Sequence, residues 1–365
     1  MTARIVVFGA TGYTGRLVTR ELVAAGHRPV VAGRDQRKVR ALATAHGNLE
    51  VAFADAADPA SVAALVGPGD VLVTTVGPFS RYGRPALDAA IAAGARYLDC
   101  TGEASFIHHV FTEAGPRARA SGATLLTAVG FDYLPGNLAG ALALRAAGEA
   151  ARRVDVAYFM GGSLSASSGT RATGILMAGE PVYCLQAGAV VARPVARQVR
   201  HFPSPGRARP AALWGGSEPF TLPHLAPGLT DVATFVGGPD RLIRPAQALS
   251  FPLAGLLRLP PGRWLWEKIS APALRVSGQG PDAETRARAT ACTIAVARDE
   301  AGRELASVRL EGRDPYTFTG RMMAWIAGHL ATGNVTEAGA LGPVDAFGID
   351  ELERAVAAAG IRRVE

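Results

Sequence analysis

Apolar residues recur along this chain in two alternating periods. "RIVVFGA" at 4–10 is a continuous apolar run that predicts a buried parallel strand over about 4–9. "GRLVTRELVAAGH" then puts Leu17, Val18, Leu22 and Val23 on one helical face and stops at Gly26. The alternation continues. "RPVVAGR" at 28–34 predicts a strand, followed by the helix "QRKVRALATAH" with Asp35 as a candidate cap. "LEVAFADAADPASVAALV" at 49–66 predicts a strand and then a helix capped near Asp58, with Pro59 in its first position. "DVLVTTVGPF" at 70–79 is a fourth strand, and 84–103 holds a further helix and strand. "SGATLLTAVGFDYLPG" adds a strand that ends at Gly130-Phe131-Asp132-Tyr133. Strand–helix alternation over about 135 residues predicts an α/β, doubly wound parallel sheet.

Beyond residue 140 the pattern changes. "RRVDVAYFMGG" predicts a strand, and "ATACTIAVARDEAGRELASVRLEG" at 289–312 predicts a hairpin around Asp-Glu-Ala-Gly. "SGTRATGILMAG" at 168–179 has helical spacing. Residues 193–265 are rich in Pro, Gly and Arg with little periodicity, which predicts loops over a site. "RWLWEKI" at 263–269 is expected to pack in a core, with a substrate wall or a membrane-surface contact as the second reading. "YTFTGRMMAWIAGHLATG" at 316–333 predicts a helix with Met323, Ile326, Ala327 and Leu330 on one face. "DAFGIDELERAVAAAGI" predicts a last amphipathic helix capped by Asp350.

At 365 residues, 48% apolar and 19% charged, the chain can bury a large core and is not disordered. One basic residue precedes the first apolar run, unlike a signal peptide. No run reaches the ~18 apolar residues of a membrane span. The strongest candidate, 248–262, is interrupted by Pro252, Arg258 and a Pro-Pro pair. Cys100, Cys184 and Cys292 form no C-x-x-C, so neither a disulfide framework nor a metal site is expected, and a cytoplasmic location fits. The net charge is +7, but Lys38 and Lys268 are the only lysines. An arginine-, alanine- and glycine-rich habit explains that charge without a nucleic-acid partner.

The first strand–helix junction carries candidate chemistry. Gly9, Gly12 and Gly15 stand three apart between a strand and a helix N-terminus, the context in which backbone N–H groups receive a pyrophosphate. Thr11 and Thr14 can add hydroxyls, and Tyr13 lies between them. At the end of the second strand an NAD-selective site places an acid, whereas this chain places Arg34, with Lys38 following. Arg34 can pair with a 2′-phosphate, so NADP(H) is the expected cofactor. Asp55 can reach the adenine amino group. Val76, Gly77, Pro78 and Phe79 end the fourth strand, and Gly77 and Pro78 are expected beside the nicotinamide ribose. Gly130 and Phe131 are expected to complete the cofactor contacts.

"GATGYTG", "AGR", "VGPF", "YLDCTGE" and "GFDYLPGNLAG" resemble the saccharopine dehydrogenase-like NAD(P)-binding oxidoreductases, nearest to a bacterial branch of trans-acting enoyl reductases. "SSGTRATG" at 167–174 and "EGRDPYTFTGRMMAWIAGHL" are weaker echoes. The resemblance implies a Rossmann domain over 1–140 completed by 316–365. It also implies an inserted α+β domain over 141–315 that covers the nicotinamide, and the extra sheet of that domain leads to the expectation of a homodimer. Tyr133 and Asn137 stand where the family motif has a serine and an acid, which puts any reaction copied from relatives in question.

The proton donors in reach of such a cofactor are Tyr133, Asp132 and Tyr82. Asp132 can equally hold its own loop, and Tyr133 can equally be a pocket wall. His108 and His109 read as residues of a surface helix. None of Tyr82, Tyr97, Tyr133, Tyr158, Tyr183 and Tyr316 has a lysine four residues later, which excludes the short-chain dehydrogenase arrangement. Arg193, Arg197, Arg200, Arg207 and Arg209 form either a solvated face or a dock for an anionic carrier. The expected function is NADPH-dependent reduction of a C=C bond in a small-molecule or carrier-bound metabolite. Imine (C=N) reduction and a non-catalytic NADP(H) sensor are the alternatives.

Overall fold

The computed structural model describes residues 3–162, 174, 177, 179–204, 208–257, 259–274 and 280–364. Strand–helix alternation begins with β1 (Ile5–Phe8), α1 (Tyr13–Ala24), β2 (Val30–Gly33), α2 (Gln36–Ala45), β3 (Val51–Phe53) and α3 (Pro59–Ala63). It continues through β4 (Val71–Thr74), α4 (Phe79–Tyr82), α5 (Arg84–Ala93), β5 (Arg96–Asp99), α6 (Ala104–His109), α7 (Gly115–Ser121) and β6 (Thr124–Leu126). With the short strand β15 (Gly339–Ala340) these form one parallel sheet in the order β15-β6-β5-β4-β1-β2-β3. Val6, Phe8, Val30, Leu72 and Tyr97 enter one core, while Val7, Val31, Val73 and Leu98 enter the core on the other face. A sheet buried on both faces explains why these strands read as unbroken apolar runs.

The chain order reverses between β1 and β4, so their carboxyl ends open a crevice there. The helix Pro315–Thr332 packs on α1 and buries Met323, Ile326, Ala327 and Leu330, as its spacing predicted.

After α8 (Leu134–Ala147), a second sheet is built from β7 (Arg153–Gly161), β8 (Pro181–Gln186), β9 (Ala189–Pro194), β10 (Val199–Phe202), β11 (Arg209–Leu213), β12 (Asp231–Gly237), β13 (Thr290–Arg298), β14 (Glu304–Arg313) and β16 (Ile361–Val364). Its main path is β10-β11-β12-β7-β13-β14-β16, with β8 and β9 attached through β12. Among its described strands, only the β7–β12 pair is parallel. α8 lies under β7, β13 and β14 and is buried along its length from Leu134 to Leu144. The predicted hairpin is the β13–β14 pair. The C-terminal strand β16 pairs with β14, so the chain returns to the second sheet after closing the first.

Several expectations are corrected. Residues 193–265 are not mainly loops. They hold β10, β11, β12 and the helices Glu218–Leu225 and Asp240–Leu257. Proline at 210, 219, 223, 245 and 252 masks the periodicity there, since tertiary pairing overrides local propensity. Trp264 is exposed rather than in a core. Asp350 is not a cap. Gly348 precedes that helix, and Asp350 instead accepts a hydrogen bond from Arg145 at 2.6 Å. His109 is buried and His108 stacks on Tyr183 at 4.1 Å, because the second sheet covers α6. The predicted helix at 168–179 and the echo at 167–174 lie almost wholly outside the described residues, as does Arg207. No helix of the described residues is long and apolar enough to cross a membrane.

Candidate active site

The glycine loop joins β1 to α1 without room for side chains. Gly9 has φ +85°, and a Cβ there would lie 2.8 Å from Thr75 Oγ1 and 2.9 Å from Val76. A Cβ on Gly15 would fall 2.2 Å from the Gly9 carbonyl oxygen and 2.9 Å from the Ala10 Cα, both backbone atoms that cannot rotate away. Gly12 occupies the N-cap of α1 with no side chain over the helix end. Its N–H donates to Gly9 O at 2.9 Å, which fixes the turn. The next N–H groups, of Tyr13, Thr14 and Gly15, start a helix and have no intrahelical acceptor. A pyrophosphate fits this cradle through backbone N–H groups and the positive end of α1.

Thr11 and Thr14 are half-buried, and Thr11 Oγ1 faces Gly33 at the end of β2. The Tyr13 side chain turns the other way. Its hydroxyl donates to Pro281 O at 2.6 Å and accepts from Arg286 at 3.0 Å, and its ring meets Tyr316 edge-on at 5.1 Å. Tyr13 therefore ties the loop to the segment before β13 and can offer a ligand only its backbone.

Arg34 follows β2 directly and is exposed, with no side-chain hydrogen bond or ion pair among the described residues. Lys38 lies 3.4 Å from Asp35, which caps α2 by accepting from the Lys38 N–H at 3.0 Å. Asp55 is half-buried past β3, and its carboxylate caps Ala57 N–H at 3.0 Å.

Past β4, Val76 is half-buried against the core and Gly77 is exposed, while Pro78 and Phe79 are buried. This turn is held by a residue whose role the motif "YLDCTGE" did not disclose. The Glu103 carboxylate is buried and accepts from the N–H of Phe79 at 2.7 Å and of Ser80 at 2.8 Å. Tyr82, at the end of α4, is half-buried with the Arg81 guanidinium 5.2 Å from its ring centre.

The loop after β6 completes the crevice. Asp99 accepts from the Ala128 and Thr101 N–H groups and from Thr127 Oγ1. Desolvation still lifts its carboxyl to about 6. The Phe131 N–H donates to Thr319 Oγ1 at 3.0 Å, and a Cβ on Gly130 would meet Thr319 at 3.0 Å and Cys100 at 3.2 Å. Asp132 is open to solvent, yet protein surrounds its carboxyl closely enough for desolvation to push it up to about 6. That combination describes a group on the floor of a recess. Tyr133 differs from its neighbour. It is buried and its hydroxyl donates to Gly102 O at 3.0 Å, while desolvation raises it well above the usual phenol range.

Beneath this loop lies a buried network for which the sequence held no local signal. Tyr158 Oη of β7 accepts from the Gly136 N–H at 2.8 Å. The same oxygen stands 2.7 Å from Glu218 Oε1 and 2.8 Å from Tyr133 O. One hydroxyl proton cannot serve both acceptors. A protonated Glu218 that donates to Tyr158, with Tyr158 donating to Tyr133 O, satisfies every partner. Burial pushes Glu218 up to about 7, in the same sense. Thr234 Oγ1 donates to its other oxygen at 3.1 Å. Asn137, which departs from the family motif, bonds Ser217 at 2.8 Å and is held by Thr221.

Residues 5–126 match the family model of the saccharopine dehydrogenase NADP binding domain. The N-terminal third of the chain thus resembles an NADP-binding domain of saccharopine dehydrogenase type. A trans-acting enoyl reductase of Mycobacterium leprae is 37% identical over 140 residues, which are 37% of this chain and 34% of that protein. One from Mycobacterium tuberculosis is 35% identical over the same share of each. The match thus spans about a third of the length of these relatives. Saccharopine dehydrogenase (L-Glu forming) from Saccharomyces cerevisiae shares the fold over 99% of both chains, with a TM-score of 0.60 at 12% identity.

Proposed function

We propose that this protein is an NADPH-dependent reductase that delivers hydride to a C=C bond conjugated to a carbonyl, in a small-molecule or carrier-bound substrate. The observation that carries the reading is the unpaired Arg34 beside a glycine cradle that admits no side chain. A guanidinium with no partner among the described residues, at the end of β2, suits a 2′-phosphate. The choice of a C=C bond is supported by the names of the mycobacterial relatives.

When bound, NADPH supplies the hydride. The free N–H groups of Tyr13, Thr14 and Gly15 would hold its pyrophosphate, Gly9, Gly12 and Gly15 leave the space for it, and Glu103 fixes the Val76–Phe79 turn. Asp132, open in its recess and partly protonated near neutral pH, gives a proton to the α-carbon as the enolate develops. Tyr133 positions that loop through Gly102.

Calorimetric titration with NADPH and NADH, for the wild type and Arg34→Ala, tests the cofactor half. A preference for NADPH that falls at least about tenfold in the variant is expected, the size of one lost charge-assisted contact. Loss of NADPH absorbance with an enoyl thioester, but not with a cyclic imine, tests the reaction. Binding without turnover of either substrate would favour the sensor reading.

A further inference from the structure

Eleven large apolar side chains stand exposed among the described residues, and eight of them lie within 240–274. Scattered exposed leucines are ordinary, but a contiguous set marks an interaction surface. Here the set lies on two helices, Asp240–Leu257 and Pro260–Leu274. The first touches β9 and β11 and buries only Ile243 and Ser250 fully among its residues. The second packs on the first, where a Cβ on Gly262 would lie 2.2 Å from the Leu256 carbonyl oxygen. Leu256 and Leu259 stand at the joint, and Phe251, Trp264, Leu265 and Ile269 flank it, each between 47 and 63% exposed.

We propose that this helix pair docks the protein onto an anionic lipid bilayer surface, with Leu256, Leu259 and Trp264 entering the acyl boundary. The argument for this occupant is charge. Residues 240–274 carry five basic and two acidic side chains, a net +3 of the chain's +7. Arg197 adds a further cation, placed 3.8 Å from the centre of the Phe251 ring. A second copy of the chain would bring +3 against +3, whereas an anionic surface neutralises both. Lys268, one of two lysines, sits 5.7 Å from the centre of the Trp264 ring, an aromatic–cation pair suited to a headgroup layer. Pro245 and Pro252 within the first helix and the charges on both suit a helix pair lying in the interface rather than crossing it.

The test is co-sedimentation of the full chain with phosphatidylcholine vesicles, with and without about 30% phosphatidylglycerol. Wild type is expected to pellet only with the anionic vesicles, and to be released by about 0.5 M salt. Leu256→Ser/Leu259→Ser removes the apolar tip, and Arg241→Gln/Lys268→Gln removes charge. Each is expected to lose most of the pelleted fraction while its melting temperature and NADPH binding stay those of the wild type. Absence of wild-type pelleting at low salt overturns the proposal, as does pelleting unchanged in Leu256→Ser/Leu259→Ser. A dimer in solution that this pair converts to a monomer, with no vesicle binding by the wild type, assigns the face to a second copy and also overturns it.

Discussion

The Glu103 carboxylate accepts the Phe79 N–H at 2.7 Å, and its second oxygen takes the Ser80 N–H at 2.8 Å. One buried carboxyl group thus joins the start of α6 to the first turn of α4. Glu103→Ala leaves two N–H groups without this acceptor and is expected to cost about 2–4 kcal/mol. NADPH affinity should weaken with it, because the Val76–Phe79 turn loses its anchor. Glu103→Gln keeps one acceptor and should cost less in both. Thermal melts and cofactor titrations of the two variants check this, and an Ala variant that melts and binds like wild type would remove the anchor role.

Gly15 is constrained by space rather than by dihedral angle. A Cβ there meets only backbone, at 2.2 Å from Gly9 O. Gly15→Ala must therefore push α1 away from the turn, which disturbs the N–H groups that face a phosphate. NADPH affinity is expected to fall at least about tenfold, with an overpacking cost of about 1–3 kcal/mol in stability. Gly26→Ala is the control. Gly26 has φ +85° with nothing within 4 Å of a Cβ, so its substitution should strain the backbone by about 1 kcal/mol and leave binding intact.

The protonated Glu218 gives a pH dependence with a definite sign. Burial raises its carboxyl from an ordinary value of 4.5 to about 7. The folded state therefore binds more protons than the unfolded state between those values. Its contribution is fully present below about 4.5 and is lost as pH rises through 7, at up to about 1.4 kcal/mol per pH unit. Asp99, lifted to about 6, acts in the same sense at the lower end of this window. Unfolding stability of the wild type should thus decline from pH 5 to 7.5. Glu218→Gln, which still offers Tyr158 a donor, should flatten the part of that slope between 6 and 7. Denaturant titrations across the pH series measure it, and identical slopes would show that Glu218 is ionised throughout.

The parts of this molecule that were legible in the sequence depend on local pattern. Buried parallel strands read as apolar runs, and the Gly9–Gly15 loop announced itself by its place between β1 and α1. The place of Arg34 directly after β2 was legible, and the structure leaves its side chain exposed there. Asp132 and Tyr133 were equal candidates in the sequence, and only burial separates them. Glu218, Tyr158 and Thr234 meet across 16 to 60 residues of separation, so no spacing could foretell the network. Trp264 misled for the opposite reason, since large apolar residues belong inside unless another surface covers them. The middle of the chain failed because proline at five positions hides strands and helices that pairing in the second sheet enforces.

Asp132 separates the catalytic reading from a structural one. Its carboxyl is open to the recess, and no side-chain hydrogen bond among the described residues occupies it, so its removal should leave the loop standing. If it donates the proton, the acid form is the active one, and turnover should fall as pH rises above about 6. Asp132→Asn cannot donate in this way, so kcat is expected to drop about a hundredfold, the lower end for a lost general acid, and the limb near pH 6 should vanish. NADPH affinity should not change. Tyr133→Phe is the complement: it loses one hydrogen bond to Gly102, about 1 kcal/mol of stability, while keeping the wild-type pH profile. The opposite pattern, a flat profile in Tyr133→Phe and a retained limb in Asp132→Asn, would move the proton to the tyrosine and require the buried ring to swing into the recess during turnover.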